Sequence, residues 1–245
     1  MGYDRIPKYN EYLIMNEKPL GHKSYGSIPH LSNSRLGPAD HTCEQGQERI
    51  ATKEPRDKND LIIVQEKVDG SNCAVAKIKG EIIPLGRAGY RAETSPYKLH
   101  HLFAKWVFKN RKRFEEVINE GERIVGERLA QAHGTRYKLP HEPFVVFDIM
   151  SKGHERMCYH DFLLRVLPHQ FIVPRLIHLG QPITVIKVLK LLEPSGHGAI
   201  DPVEGAVWRV ERKGKVDFLV KYLRSDKIDG CYLPENNNGK EVWNV

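Results

Sequence analysis

The sequence predicts an α+β fold in which antiparallel sheets carry a few flanking helices. Three observations predict it. Apolar runs of strand length, such as Leu61-Ile62-Ile63-Val64, recur along most of the chain, and several are joined by tight turns. Helical periodicity is confined to a few short stretches. Strands and helices do not alternate regularly, which argues against a doubly wound parallel sheet. A chain of 245 residues is also long enough to bury a core without disulfides or metal staples.

Taken in order, residues 1–60 are rich in Gly, Pro, Ser, Asn and His. They read as an irregular lead-in packed on the same domain, with Lys23–Ile28 as a strand candidate. Residues 61–245 form the main domain. After the Leu61–Val64 strand, Cys73–Ile78 and Glu81–Leu85 flank a Lys79-Gly80 turn. Thr94-Ser95-Pro96 reads as a helix start, with a hydroxyl cap and a proline in the first turn. Leu99, Leu102, Phe103, Trp106 and Val107 follow at helical spacing as core. Arg123–Gly126 and Pro143–Met150 are strands, Asp161 caps a short helix running to Val166, Phe171–Ile177 is a strand and Pro182–Leu192 a helix. Gly205–Glu211 and Val216–Leu223 face each other across Arg212–Lys215 as a hairpin.

Lys and Arg total 38 against 31 Asp and Glu, a net charge of +7, with a pI near 9.1. That balance favours a polyanionic partner without choosing one. Lys105, Lys109, Arg111, Lys112 and Arg113 are the densest candidates for phosphate contacts, and read equally well as a solvated face. No apolar run approaches the roughly 20 residues of a membrane helix. Met1-Gly2-Tyr3-Asp4-Arg5 is followed by polar sequence, with no sign of a signal peptide. Cys43, Cys73, Cys158 and Cys231 are scattered with no CxxC pair, so free thiols in a reducing, cytoplasmic setting are expected. Cys158-Tyr159-His160 offers two ligands without a second pair, which argues against zinc.

The informative stretch is Gln65-Glu66-Lys67-Val68-Asp69-Gly70-Ser71-Asn72. A lysine ends an apolar strand and precedes an Asp-Gly turn, which sets an amine at a pocket mouth beside a glycine that lets backbone approach closely. Alone, it also fits a surface hairpin with a solvated lysine. Gly86-Arg87, Gly126-Glu127-Arg128-Leu129, Phe144-Val145-Val146-Phe147-Asp148, Val203-Glu204-Gly205-Ala206-Val207 and Phe218-Leu219-Val220-Lys221-Tyr222 follow, each bringing a polar residue to a strand end. In that order they resemble the successive motifs of the covalent nucleotidyltransferase superfamily, which holds the ATP-dependent DNA and RNA ligases and the GTP-dependent mRNA capping enzymes. The resemblance spans Leu61 to Tyr222. Asn72, the G-E-R-L and F-D-I segments and the lead-in Tyr25–Leu31 make the chain most similar to RNA ligases of the nick-sealing, RNA-repair branch.

The resemblance implies an adenylation domain that joins RNA 5′-phosphate and 3′-hydroxyl ends through a lysyl–AMP formed from ATP. Its cofactors would be ATP and Mg2+, with Mn2+ as a substitute. Lys67 would be the nucleophile. Glu127 would bind the ribose hydroxyls and Phe147 would stack on adenine, although the apolar run around Phe147 by itself reads as core. Arg87 would contact phosphate or ribose, Lys221 would hold the α-phosphate, and Glu204 would act there through metal or water. Glu66 would lie beside the adenine edge, and Asp69 and Asn72 would complete the lysine loop. The amine must be neutral to attack, so Lys221, Arg87, a divalent metal and partial burial are expected to lower its pKa from the usual ~10.4.

Two departures from the pattern stand out. Where these ligases offer a first lysine in the last motif, this chain has Leu219. Only 23 residues follow Tyr222, so no separate C-terminal domain is expected. RNA or a nicked duplex would then be gripped by the domain's own basic surface or by a partner protein. A GTP-using capping-type guanylyltransferase, or a ligase-derived nucleic-acid-binding domain without full sealing activity, are the alternatives.

Overall fold

The computed structural model describes residues 17–245. Residues 1–16, and with them the first part of the lead-in and the stretch read for a signal peptide, lie outside the described residues. Among the described residues eight strands form two antiparallel four-stranded sheets. One sheet has the order β6-β1-β7-β8 and contains β1 (Asp60–Lys67), β6 (Leu176–Gly180), β7 (Gly205–Arg212) and β8 (Lys215–Leu223). The other has the order β3-β2-β4-β5 and contains β2 (Ser71–Ile78), β3 (Glu81–Gly86), β4 (Arg123–Arg128) and β5 (Phe144–Met150). Among the described residues five helices flank them: α1 (Gln45–Thr52), α2 (Lys98–Lys109), α3 (Arg111–Val117), α4 (Tyr159–Val166) and α5 (Val185–Leu189). The α+β class is as expected.

The hairpins follow from local chemistry. Lys79-Gly80 and Lys213-Gly214 both take positive φ at two successive residues, the type I′ geometry whose twist matches the strands it joins. Strand alternation then sorts the faces. In the β2 sheet, Cys73, Val75, Ile124, Phe144 and Val146 pack under Phe103, Val107, Phe114 and Phe162 of α2, α3 and α4. On its other face, Ala74, Ala76, Ile83 and Val125 pack with Tyr25. In the β1 sheet, Ile62, Val64, Trp208, Val210 and Val220 are covered by Ile50 and Ala51 of α1, Val188 of α5 and Leu31. The opposite face of that sheet carries Gln65, Lys67, Val207, Arg209, Leu219 and Lys221 into a cavity.

Several boundaries differ from expectation. Lys23–Ile28 is not a strand. Its backbone is held by single bonds, such as Ser24 N–H to Arg87 O at 3.1 Å, and pairing begins only at His30, which bridges Thr42 and Lys221. Helix α2 starts at Lys98 rather than at Thr94, because Ser95 Oγ accepts from Tyr97 N at 3.2 Å and meets His100 Nδ1 at 2.6 Å instead of capping a helix. Of the expected core positions on it, Leu102 is exposed. Asp161 sits in the first turn of α4 without capping it; Tyr159 N donates to Glu211 Oε1 at 2.6 Å. The Phe171–Ile177 strand is displaced to Leu176–Gly180 because Pro174 has no N–H to offer a ladder. Upstream of it only Ile172 bridges, to Val145. The Pro182–Leu192 helix shrinks to Val185–Leu189, capped by Thr184 Oγ1.

Candidate active site

Between the two sheets lies a cavity open to solvent. Glu66, Lys67, Asn72, Arg87, Glu127, Phe147 and Lys221 all line it. Glu204, which precedes β7, reaches it through Lys67: Lys67 Nζ donates to Glu204 Oε2 at 2.5 Å. Of the nine residues singled out in the sequence, all but Asp69 therefore converge on one place. A neighbouring cleft shares Asn72, Arg87 and Glu127 with the cavity and adds Tyr90, Arg91, Tyr97, His100 and His133.

Lys67 is the last residue of β1, paired with Gly205. Only glycine fits at 205, since a Cβ there would collide with the Tyr222 carbonyl, and at 70, where it would meet Arg128 O. The loop after Lys67 is pinned from three sides. Asp69 N donates to the Tyr137 hydroxyl at 3.0 Å, Gly70 N to Glu127 Oε1 at 3.2 Å, and Gly134 N to Asp69 Oδ2 at 2.9 Å. Asn72 Nδ2 reaches Glu127 Oε2 at 3.5 Å, while Asn72 Oδ1 is buried without a partner. A buried acceptor left open in a cavity wall calls for a donor on a ligand.

Phe147 reaches the cavity through a β-bulge. In the β4–β5 pairing Val125 faces Asp148 and Gly126 faces Val146, which leaves Phe147 as the extra, unpaired residue. An extra residue re-aims the strand locally, and Phe147 lies apart from the helix-covered cluster of Phe144, Val146 and Ile149, on the sheet's other face, where it meets Tyr25 edge-on at 5.3 Å. Arg87 is exposed and donates to Ser27 Oγ at 3.3 Å. The Lys221 ammonium lies 3.5 Å from Asp40 Oδ1. The lead-in delivers that carboxylate: Leu31 N donates to Lys221 O and Lys221 N to Pro29 O, while His30 Nε2 sits 3.2 Å from Asp40 Oδ2.

Glu66 lines the cavity with its carboxylate already engaged, accepting from Ser195 Oγ at 2.5 Å, Gly196 N at 2.8 Å and Arg175 Nε at 3.2 Å. The expected direction of the Lys67 shift needs correction, since the ammonium is not lowered by cations. Burial alone would lower it, but Glu204, Glu127 and Asp69 outweigh burial and hold it above the ordinary lysine range. Burial pushes the Glu204 carboxyl up to about 7 against the pull of Lys67, and raises Glu127 as well. Lys221 moves the other way, lowered by burial and by Lys67. Without ligand the site thus holds a protonated amine 2.5 Å from an acceptor that titrates near neutrality.

A second group of residues escapes sequence reasoning. Asp148 Oδ1 accepts from Arg209 Nη1 at 2.6 Å, and its Oδ2 accepts from the Tyr25 hydroxyl at 2.8 Å and Arg156 Nε at 3.2 Å. Arg209 Nε also donates to Glu211 Oε1 at 2.7 Å. This buried network ties the two sheets and the lead-in together beneath the cavity. Period-two alternation in Trp208-Arg209-Val210-Glu211 is the signal that could find it, since it sets two charges on the face shared with Val207. The basic cluster is partly consumed as well. Arg113 forms a two-pronged pair with Glu142, and Arg111 pairs with Glu115. Lys105, Lys109 and Lys112 remain exposed.

Among the described residues no group of three or more His, Cys, Asp or Glu side chains forms a metal cage. The donors present do fit a hard divalent cation held by one or two carboxylates, with phosphate oxygens and water as its other ligands. No helix among the described residues is long and apolar enough to cross a membrane.

The chain matches the RNA ligase family over residues 60–223. No curated protein matches it. Among solved structures, the Naegleria gruberi RNA ligase with PPi aligns at 14% identity over 88% of this chain and 62% of that one, with a TM-score of 0.55. A variant of the same enzyme with AMP and Mn aligns at 16% identity over 82% and 60%, with a TM-score of 0.56. An archaeal ATP-dependent RNA ligase aligns at 18% identity over 82% of this chain and 48% of that one, with a TM-score of 0.49. At these identities the likeness to the Naegleria structures is one of fold. The chain spans about half of the archaeal enzyme and under two thirds of the Naegleria one.

Proposed function

The chain belongs to the RNA ligase family, and on that premise we propose that it is an ATP-dependent RNA ligase whose nucleophile is Lys67. The observation that carries this reading is the Lys67–Glu204 contact at 2.5 Å inside a cavity also walled by Glu127, Phe147 and Lys221. In the first step the Lys67 amine attacks the α-phosphorus of ATP. An N–P bond forms, the bond to the bridging oxygen breaks, and pyrophosphate leaves. The proton that Lys67 must shed has Glu204 as its nearest acceptor, poised near 7. Phe147 stacks on the base, Glu127 and Asn72 take the ribose hydroxyls, and Lys221 and Arg87 meet the phosphates. Glu204 would help to hold Mg2+, which would supply charge neutralisation for the leaving pyrophosphate.

In the second step a 5′-phosphate oxygen of RNA attacks the same phosphorus and displaces Lys67, which returns as a free amine. In the third, a 3′-hydroxyl attacks the RNA 5′-phosphate and AMP departs. The neighbouring cleft, which opens onto Arg87 and Asn72, gives the RNA ends their approach. The four unpaired cysteines suit a reducing compartment such as the cytoplasm.

Incubation with α-labelled ATP or GTP, followed by denaturing electrophoresis, tests the reading. An acid-labile protein adduct from ATP, lost in Lys67→Ala, is expected. Equal or better labelling by GTP points to capping chemistry, and a protein that binds RNA without acquiring label is a ligase-derived binding domain.

A further inference from the structure

The tetrapeptide K-x-D-G occurs twice, as Lys67-Val68-Asp69-Gly70 and as Lys227-Ile228-Asp229-Gly230. The second copy lies beyond the residues that match the family. Its lysine is buried, and its ammonium is saturated: it donates to Gly134 O at 2.6 Å and to Thr135 Oγ1, and pairs with Asp69 Oδ2 at 3.2 Å. The same Asp69 oxygen accepts from Gly134 N at 2.9 Å and Thr135 Oγ1 at 3.1 Å. One ammonium therefore closes a ring that joins the loop after the nucleophile to the loop after β4.

From this geometry we infer that Lys227 is a positioning residue for adenylylation, holding Asp69 so that the Lys67 amine points into the cavity. The inference rests on the reading of Lys67 as nucleophile. Buried charges that are fully paired contribute little net stability but fix one arrangement among several. The arrangement fixed is that of residues 68–70, whose other anchors are Tyr137 and Glu127. The segment around Lys227 is itself tied to the same loops: Tyr232 N donates to His133 O at 2.8 Å, and Asn244 N to Ala130 O at 2.8 Å. Neither Lys227 nor Asp69 lines the nucleotide cavity. Breaking their pair should therefore misdirect the nucleophile without weakening nucleotide binding.

Lys227→Met and Asp69→Asn, alone and together, test this against wild type. A misplaced nucleophile costs up to about 100-fold in rate, so the labelling rate at saturating ATP should fall about 10- to 100-fold in Lys227→Met. Half-saturating ATP should stay where it is. The double variant, which removes both charges at once, should recover part of the loss. Amide exchange supplies a readout independent of activity: Asp69 and Gly134 should lose protection in Lys227→Met while the β2 amides keep theirs. If Lys227→Met will not fold, Lys227→Gln carries the same expectations, since it keeps a donor for Gly134 O and breaks the ion pair. An unchanged labelling rate, a proportional rise in half-saturating ATP, or unchanged exchange at Asp69 and Gly134 each overturns the inference. Label retained by Lys67→Ala instead overturns the assignment of the nucleophile and leaves the exchange result to decide the role of Lys227.

Discussion

The two K-x-D-G loops have the same sequence pattern and opposite circumstances. Lys67 opens into a cavity, with one carboxylate at 2.5 Å and two more acids near enough to hold it protonated. Lys227 has every donor spent on protein oxygens. An amine becomes a nucleophile by having somewhere to send its proton and something to attack, and the tetrapeptide supplies neither. What differs is the strand before it. Lys67 ends a central strand beside Gly205, whereas Lys227 follows β8 in irregular chain.

The largest effect expected from breaking this comparison is at Lys67 itself. Lys67→Ala should lose adenylate by about 10³-fold or more, the scale of removing a covalent nucleophile. Peptide mapping of the labelled wild-type protein should find AMP on Lys67 alone; AMP on Lys227 would mean the two loops are chemically equivalent. Next comes Glu204. Replacing it with Gln should slow labelling about 10²- to 10⁴-fold, the range for a general base. Because its carboxyl is raised to about 7, it is protonated and unable to accept below that pH and ionised above it. Wild-type labelling should therefore climb with pH through neutrality, and Glu204→Gln should flatten that limb.

A smaller effect is expected at Phe147. Stacking on a base contributes about 1–3 kcal/mol, so Phe147→Ala should raise half-saturating ATP by roughly 5- to 150-fold. The labelling rate at saturation should hold, because the change spares the amine. The smallest effect concerns the exposed Lys105, Lys109 and Lys112. Changing all three to Ala should leave labelling untouched. If they meet RNA phosphates, the salt dependence of end-joining should become shallower by about 0.7 to 0.9 in log–log slope for each phosphate no longer neutralised. An unchanged slope would make them a solvated face.

The hairpins are legible in the sequence because Lys79-Gly80 and Lys213-Gly214 dictate their turns locally. The site is legible through the resemblance of its successive motifs to a known family, since a lysine before an Asp-Gly turn fits a surface hairpin equally well. Phe147 cannot be placed by pattern. Its run of apolar residues reads as core, and the bulge that frees it shows only when β4 and β5 are paired. The direction of the Lys67 shift is hidden for a similar reason. Sequence order suggests cations nearby, whereas folding brings Glu204, Glu127 and Asp69 closest. Irregular segments are the least legible. Asp40 meets Lys221, and Lys227 meets Asp69, across chain separations that leave no periodic trace.

Those separations bear on how the protein is made. Leu223 N donates to Ser34 Oγ across 189 residues, and Lys67 meets Glu204 across 137. Contacts of such range form slowly, since a long loop must close before any of them is gained. On the ribosome β1 emerges early but must wait for β6 and β7 to flank it, so a nascent chain carries Lys67 long before it carries the cavity around it.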